Sequence, residues 1–230
     1  NWDRISEGSP VFSTEKGTME LLKKEAAIFE HGDFYLSDAE RKMVDSVLAL
    51  FDDVIVVLNA GGMVDVSWIA GEGKIKAAIQ AFQGGMEGGV AIADLLTGEK
   101  NPCGRLTDTY ARNLSDYPSS FNFHESLDYV EYQDDIFVGY RYFSTIPGAD
   151  AKVIYPFGYG LSYTSFALEE IASSFVDGEV RLTIRVENTG KLPGRDVIEI
   201  YAGLPKGRLD KPARMLASFA KTKELGPGEH

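Results

Sequence analysis

The run Val54-Ile55-Val56-Val57-Leu58 constrains the fold more than any other feature of this chain. Five consecutive apolar residues with no polar alternation read as a parallel strand covered on both faces. The glycine turn Asn59-Ala60-Gly61-Gly62 closes the run. Before it, Ser37-Asp38-Ala39-Glu40 gives a cap-and-acid helix start, with Met43, Val44, Val47, Leu48 and Phe51 following on one face. After it, Ala77 to Phe82 reads as a second short strand, Gly84-Gly85 as a turn and Met86 to Leu96 as a helix stopping before Thr97-Gly98. Helix, strand, glycine turn, helix is the grammar of an α/β domain with a mostly parallel sheet, an α/β/α sandwich. Met19, Leu22, Ala26 and Phe29 predict a further amphipathic helix over residues 13–30.

From Asn113 to Pro156 the chain is aromatic-rich and loop-like, the composition of a segment that wraps or lines something. A different regime begins near Tyr163. Val180, Leu182, Ile184 and Val186 alternate with Arg181, Thr183, Arg185 and Glu187, predicting a half-buried strand, and Val197 to Tyr201 and Met215 to Ala220 predict two more. This reading divides the chain into an α/β sandwich domain over residues 1–162 and a partial all-β, immunoglobulin-like sandwich over residues 163–230. The second has four or five recognisable strands where such a fold needs about seven, so it reads as truncated at His230.

Charge and cysteine content remove several classes of function. The 230 residues carry a net charge of -12, and the acidic excess lies wholly before Tyr163. Nucleic-acid binding needs clustered Lys and Arg, so no nucleic-acid partner is expected. No stretch approaches the roughly 20 apolar residues of a membrane span, and no membrane partner or export signal is read. The expected state is soluble, cytoplasmic or secreted. A single cysteine, Cys103, excludes an internal disulfide framework and reads as a small buried or half-buried side chain. His31 and His124 have no ligand-like spacing to a partner, so no metal site is expected. The Gly84 to Gly89 turn lacks the Lys-Ser/Thr of a phosphate-binding loop and reads as close packing of helix on strand. For Asp134, Asp135 and Arg141 the expectation is a buried ion pair anchoring the aromatic loop, ahead of substrate contact.

Six strings carry a resemblance. Gly32-Asp33-Phe34-Tyr35-Leu36-Ser37-Asp38, Val56 to Gly62, Gln83 to Gly89, Leu95 to Leu106, and the pair Ile136 to Phe143 and Tyr155 to Tyr163 follow one another in order. Together they resemble the second domain of family 3 glycoside hydrolases of the β-glucosidase type. Val186-Glu187-Asn188-Thr189-Gly190 and the stretch Gly194 to Tyr201 are similar to the fibronectin type III-like domain that commonly follows it. The resemblance implies a retaining β-glycosidase that hydrolyses terminal β-linked glucosyl residues without a cofactor. Such chemistry uses two carboxyl groups about 5 Å apart, a nucleophile and an acid/base. In the family the nucleophilic Asp lies on a (β/α)8 barrel in a Ser-Asp-Trp or similar setting; no such string occurs here, where Trp2 and Trp68 sit in Asn-Trp-Asp and Ser-Trp-Ile, and a barrel alone takes about 250 residues. The nucleophile and its barrel domain are therefore expected outside these residues, the barrel being a partner.

The family's acid/base Glu sits in a loop resembling S-G-E-G-x-D-R. Ile5-Ser6-Glu7-Gly8-Ser9 is similar, without the Gly before the Glu and with Pro10 near the place of Asp-Arg. The resemblance makes Glu7 the candidate catalytic residue, beside the reading of a solvated side chain near a chain end. The expected ligand is a β-glucoside or small oligosaccharide, with a possible homo-oligomer. The alternative, from another class, is a non-catalytic carbohydrate-binding or interaction module with the same fold.

Overall fold

The computed structural model describes residues 34–122, 129, 131–205 and 207–230. The helix predicted over 13–30 lies outside them. The described chain divides into two compact units, one comprising residues up to Gly85 together with Asp108–Pro156, the other Met86–Thr107 together with Phe157–His230.

The first unit opens with helix α1 (Asp38–Leu50), and its start is the one the sequence predicts. Ser37 caps it: the Glu40 amide donates to the Ser37 hydroxyl, and the Glu40 carboxylate accepts from the Ser37 amide at 2.9 Å, so two otherwise orphaned donors are satisfied reciprocally. Strand β1 (Val54–Leu58) pairs in parallel with β2 (Ile75–Gln80), as expected of an unbroken apolar run. The second strand begins two residues earlier and ends two residues earlier than its predicted span. The expectation of cover on both faces is corrected. Val54, Val56 and Leu58 are half-buried, whereas Ile55 and Val57 are 53% and 38% exposed. An apolar run records the surroundings a strand is suited to, and the described residues supply cover on one side of it.

The unit also contains a short antiparallel pair, β3 (Tyr110–Ala111) with β4 (Val153–Tyr155), and a single-turn helix over Tyr140–Phe143. Around them Ala111, Phe143 and Ala149 are buried, with Tyr117, Tyr142 and Val153 packed on them.

The second unit contains helix α2 (Gly88–Thr97), closed by Gly98 in the left-handed conformation, φ 81°. It also contains two antiparallel pairs, β5 (Phe166–Val176) with β6 (Glu179–Asn188) and β7 (Val197–Ala202) with β8 (Met215–Lys221). The first pair turns through Asp177-Gly178, both at positive φ (53° and 82°), the combination of the type I′ hairpin turn. Strand β5 escapes sequence reading because Glu169-Glu170 and Ala172-Ser173-Ser174 interrupt its alternation. At Gly88 and Gly89 a Cβ would meet nothing within 4 Å. No helix of the described residues is long and apolar enough to cross a membrane. Among the described residues the architecture is mixed α/β, with small parallel and antiparallel sheets and few helices.

Candidate functional site

Parallel strands place their carboxyl ends on one side, and ligands of open α/β sheets bind there. In the first unit this side carries the loops Asn59 to Gly62, after β1, and Ala81 to Gly85, after β2. The strands stay in register to their last residues, with the Ala81 amide donating to the Leu58 carbonyl at 2.8 Å. A groove of about 270 Å³ opens beside the end of β1, with Tyr35, Trp68, Asn59 and Glu40 among its lining residues. Its far wall is held by Asp65, which is buried: the Asp65 amide donates to the Phe34 carbonyl, its Oδ1 accepts from the Ser67 amide, and its carbonyl accepts from Trp68 Nε1.

Aromatic side chains brace this region. Phe34 meets Tyr35 and Tyr117 edge-on at centroid distances of 5.0 and 6.3 Å, and Tyr117 meets Phe143 at 5.7 Å. The Tyr117 hydroxyl donates to the Thr109 carbonyl at 3.0 Å and accepts from the Ala111 amide at 2.9 Å. Burial, with Asp108 nearby, raises the pKa of both Tyr117 and Tyr110 above that of a free phenol. Both therefore stay protonated across the neutral range and serve as hydrogen-bonding and packing groups. Asp116 moves the other way. Burial favours its neutral form, but Asn113, donating from both amide and side chain at 3.0 Å, and Lys152 at 3.3 Å outweigh that and hold the carboxyl below the ordinary value.

Glu7, the sequence-predicted acid/base, lies outside the described residues, as do His31, His124 and residues 123–128 of the aromatic stretch. The ion pair expected of Asp134 or Asp135 with Arg141 is not formed; Asp134 Oδ1 and Arg141 Nε are instead buried without hydrogen-bond partners, and the Arg141 guanidinium lies 5.9 Å from the Tyr140 ring centroid. No group of three or more His, Cys, Asp or Glu among the described residues could hold a metal ion. Cys103 is half-buried.

The strings that carry the family resemblance in the second unit prove to be fastenings. Asn101 accepts from the Ser162 hydroxyl and the Tyr163 amide at 2.9 and 2.8 Å and donates to the Pro193 carbonyl, while the Tyr163 hydroxyl donates to the Leu95 carbonyl. Arg105 reaches the Gly160 carbonyl at 2.5 Å and forms a largely buried ion pair with Asp196. Gly160 has no room for a side chain, since a Cβ there would lie 2.3 Å from the Gly104 carbonyl oxygen. Asn188 is fully buried and fully satisfied, donating to the Leu192 and Leu225 carbonyls and accepting from the Thr164 hydroxyl and Gly190 amide. In the sequence these residues are motif letters; their roles as anchors depend on partners as far as 92 residues away, although Asn188 also binds Gly190 and Leu192 close by.

A mixed α/β protein with aromatic-braced loops at the carboxyl ends of its parallel strands is a carrier of polar-ligand sites in many enzyme families. The particular family follows from comparison with known proteins. Residues 11–163 match the model described as the glycosyl hydrolase family 3 C-terminal domain, and the chain belongs to that family. It is similar to beta-glucosidase A of Butyrivibrio fibrisolvens, 49% identical over 225 residues, covering 91% of this chain and 27% of the relative. A beta-glucosidase of Ruminococcus albus is 42% identical over 86% of this chain and 20% of its own length. Among solved structures, a beta-glucosidase from Paenibacillus barengoltzii superposes with a TM-score of 0.80 at 44% identity, covering 85% of this chain and 22% of that one. Beta-glucosidase 3B of Thermotoga neapolitana, solved in complex with alpha-D-glucose, gives 0.77 at 42% identity, covering 86% and 28%. The chain thus spans about a quarter of the length of the relatives it matches.

Proposed function

We propose that this chain is the acid/base side of a retaining β-glycosidase of the β-glucosidase type. Glu7 donates the proton to the leaving group and later activates water, while the nucleophilic Asp comes from a (β/α)8 barrel domain that is not within these 230 residues. The substrate is a terminal β-linked glucosyl group of a β-glucoside or small oligosaccharide. In this reading residues 1–162 form the α/β sandwich domain and residues 163–230 are part of a fibronectin type III-like domain. The observation that carries the proposal is the 49% identity to a beta-glucosidase, sustained over 91% of the chain. The string Ile5-Ser6-Glu7-Gly8 is what singles out Glu7.

The test uses the chain alone and then with a barrel domain supplied. Alone it hydrolyses no aryl-β-glucoside; with the barrel it does, and Glu7→Gln slows poor leaving groups by ~10² to 10⁴-fold while an activated nitrophenyl glucoside is slowed far less. Azide partly restores turnover of the activated substrate, since it attacks the glycosyl-enzyme without base assistance. Equal rates for Glu7→Gln and parent on both substrates would remove Glu7 from the mechanism.

A further inference from the structure

Phe82, the second residue past β2, has φ 51°. A bulky side chain in the left-handed region is an outlier that costs of order 1–3 kcal/mol and persists where the surroundings impose it. Its geometric consequence is local. The side chain of the next residue, Gln83, lies against the loop that follows β1. There Gly61 leaves it room, because a Cβ on Gly61 would lie 2.9 Å from Gln83 Nε2. Beneath the same loop Gln80 donates from Nε2 to the Ala60 carbonyl at 3.2 Å, and its Oε1 is buried with no hydrogen-bond partner. Asn59, the first residue past β1 and part of the groove lining, and Gln83 make no side-chain hydrogen bond among the described residues.

Three carboxamides thus lie at or just past the carboxyl ends of two adjacent parallel strands, and the strained Phe82 directly precedes one of them, Gln83. A carboxamide presents a donor and an acceptor side by side, the complement of a sugar's neighbouring hydroxyl groups, each of which both donates and accepts. The net charge of -12 disfavours an anion, and a neutral ligand suits uncharged amides. We propose that Asn59 and Gln83 form a hydroxyl-binding position for a sugar at the carboxyl ends of β1 and β2, with Gly61 and Phe82 as the residues that position Gln83. This rests on the glycoside reading above and assigns a specificity position to it.

The experiment is a titration of the full chain, labelled with ¹⁵N, with cellobiose, following side-chain amide resonances, which reads binding without requiring hydrolysis. The Gln83 and Asn59 NH₂ signals shift together and saturably. Gln83→Ala weakens binding by about two- to tenfold, the range for one hydrogen bond between uncharged groups, with no fall in melting temperature. Gly61→Ala does the same by displacing the Gln83 amide, and its remaining Gln83 signal no longer shifts. Cellobiose that perturbs other residues but leaves these two amides unmoved overturns the site and leaves the glycosidase reading standing, since that reading is judged on Glu7 and turnover. Absence of any shift, or shifts indifferent to Gly61→Ala, overturns the site as well.

Discussion

At the scale of single residues, buried polar groups decide most of what this chain specifies. Asn188 makes four side-chain hydrogen bonds in a fully buried position, and Arg105 neutralises Asp196 where neither could stand alone. Asp116 is the residue whose contribution depends on pH. Its folded carboxyl is held below the ordinary value of 3.8 by Asn113 and Lys152 against the opposing effect of burial. A depressed folded pKa stabilises fully above the unfolded value and is lost as pH falls through the folded one. Asp116→Asn should therefore be less stable than the parent at neutral pH, the gap closing as the solution is acidified below about 3.8. Urea melts at a series of pH values measure it; a gap independent of pH would assign the loss to packing. None of this was legible from the sequence, where Asp116 is one acid among 35 Asp and Glu.

At the scale of elements, capping and turn chemistry mark boundaries that composition blurs. The capping box at Ser37 and Glu40 is readable because both partners lie within one turn. The β5–β6 hairpin depends equally on local chemistry: Asp177 and Gly178 both occupy positive φ, which a type I′ turn demands. Gly178→Ala should destabilise the second unit by about 1–2 kcal/mol, the cost of the left-handed conformation for a residue with a Cβ. Chemical denaturation monitored by a probe in that unit checks this, and an unchanged midpoint would mean the turn relaxes to another type. Strand β6 was legible from alternation, and β7 and β8 as short strands separated by glycines and prolines, with ends within one residue of those predicted. The long β5 was not, because its serines and paired glutamates break the period of two. The covered second face read for β1 is not found among the described residues, since residue type reports suitability for burial and not the presence of a cover.

At the scale of the whole molecule, Met86–Thr107 fold with Phe157–His230. Asn101 is the tie that shows why: one side chain binds Ser162, Tyr163 and Pro193. Asn101→Ala should raise hydrogen exchange at the Tyr163 amide, which loses its acceptor, and loosen the segment around Pro193 and Gly194 in step with it. Loosening of Tyr163 without any change near Gly194 would mean the two contacts act separately. The sequence by itself determined the element types where a pattern is local: the capped helix α1, the parallel strands β1 and β2, the alternating strand β6, and the family strings that join them. Only the tertiary structure decided that Asn101, Arg105, Gly160 and Asn188 are anchors, and that Gln83 lies over Gly61. Those facts depend on partners far apart in the chain, and a hydrogen bond or a missing Cβ acquires its meaning only from the atom that folding places opposite it.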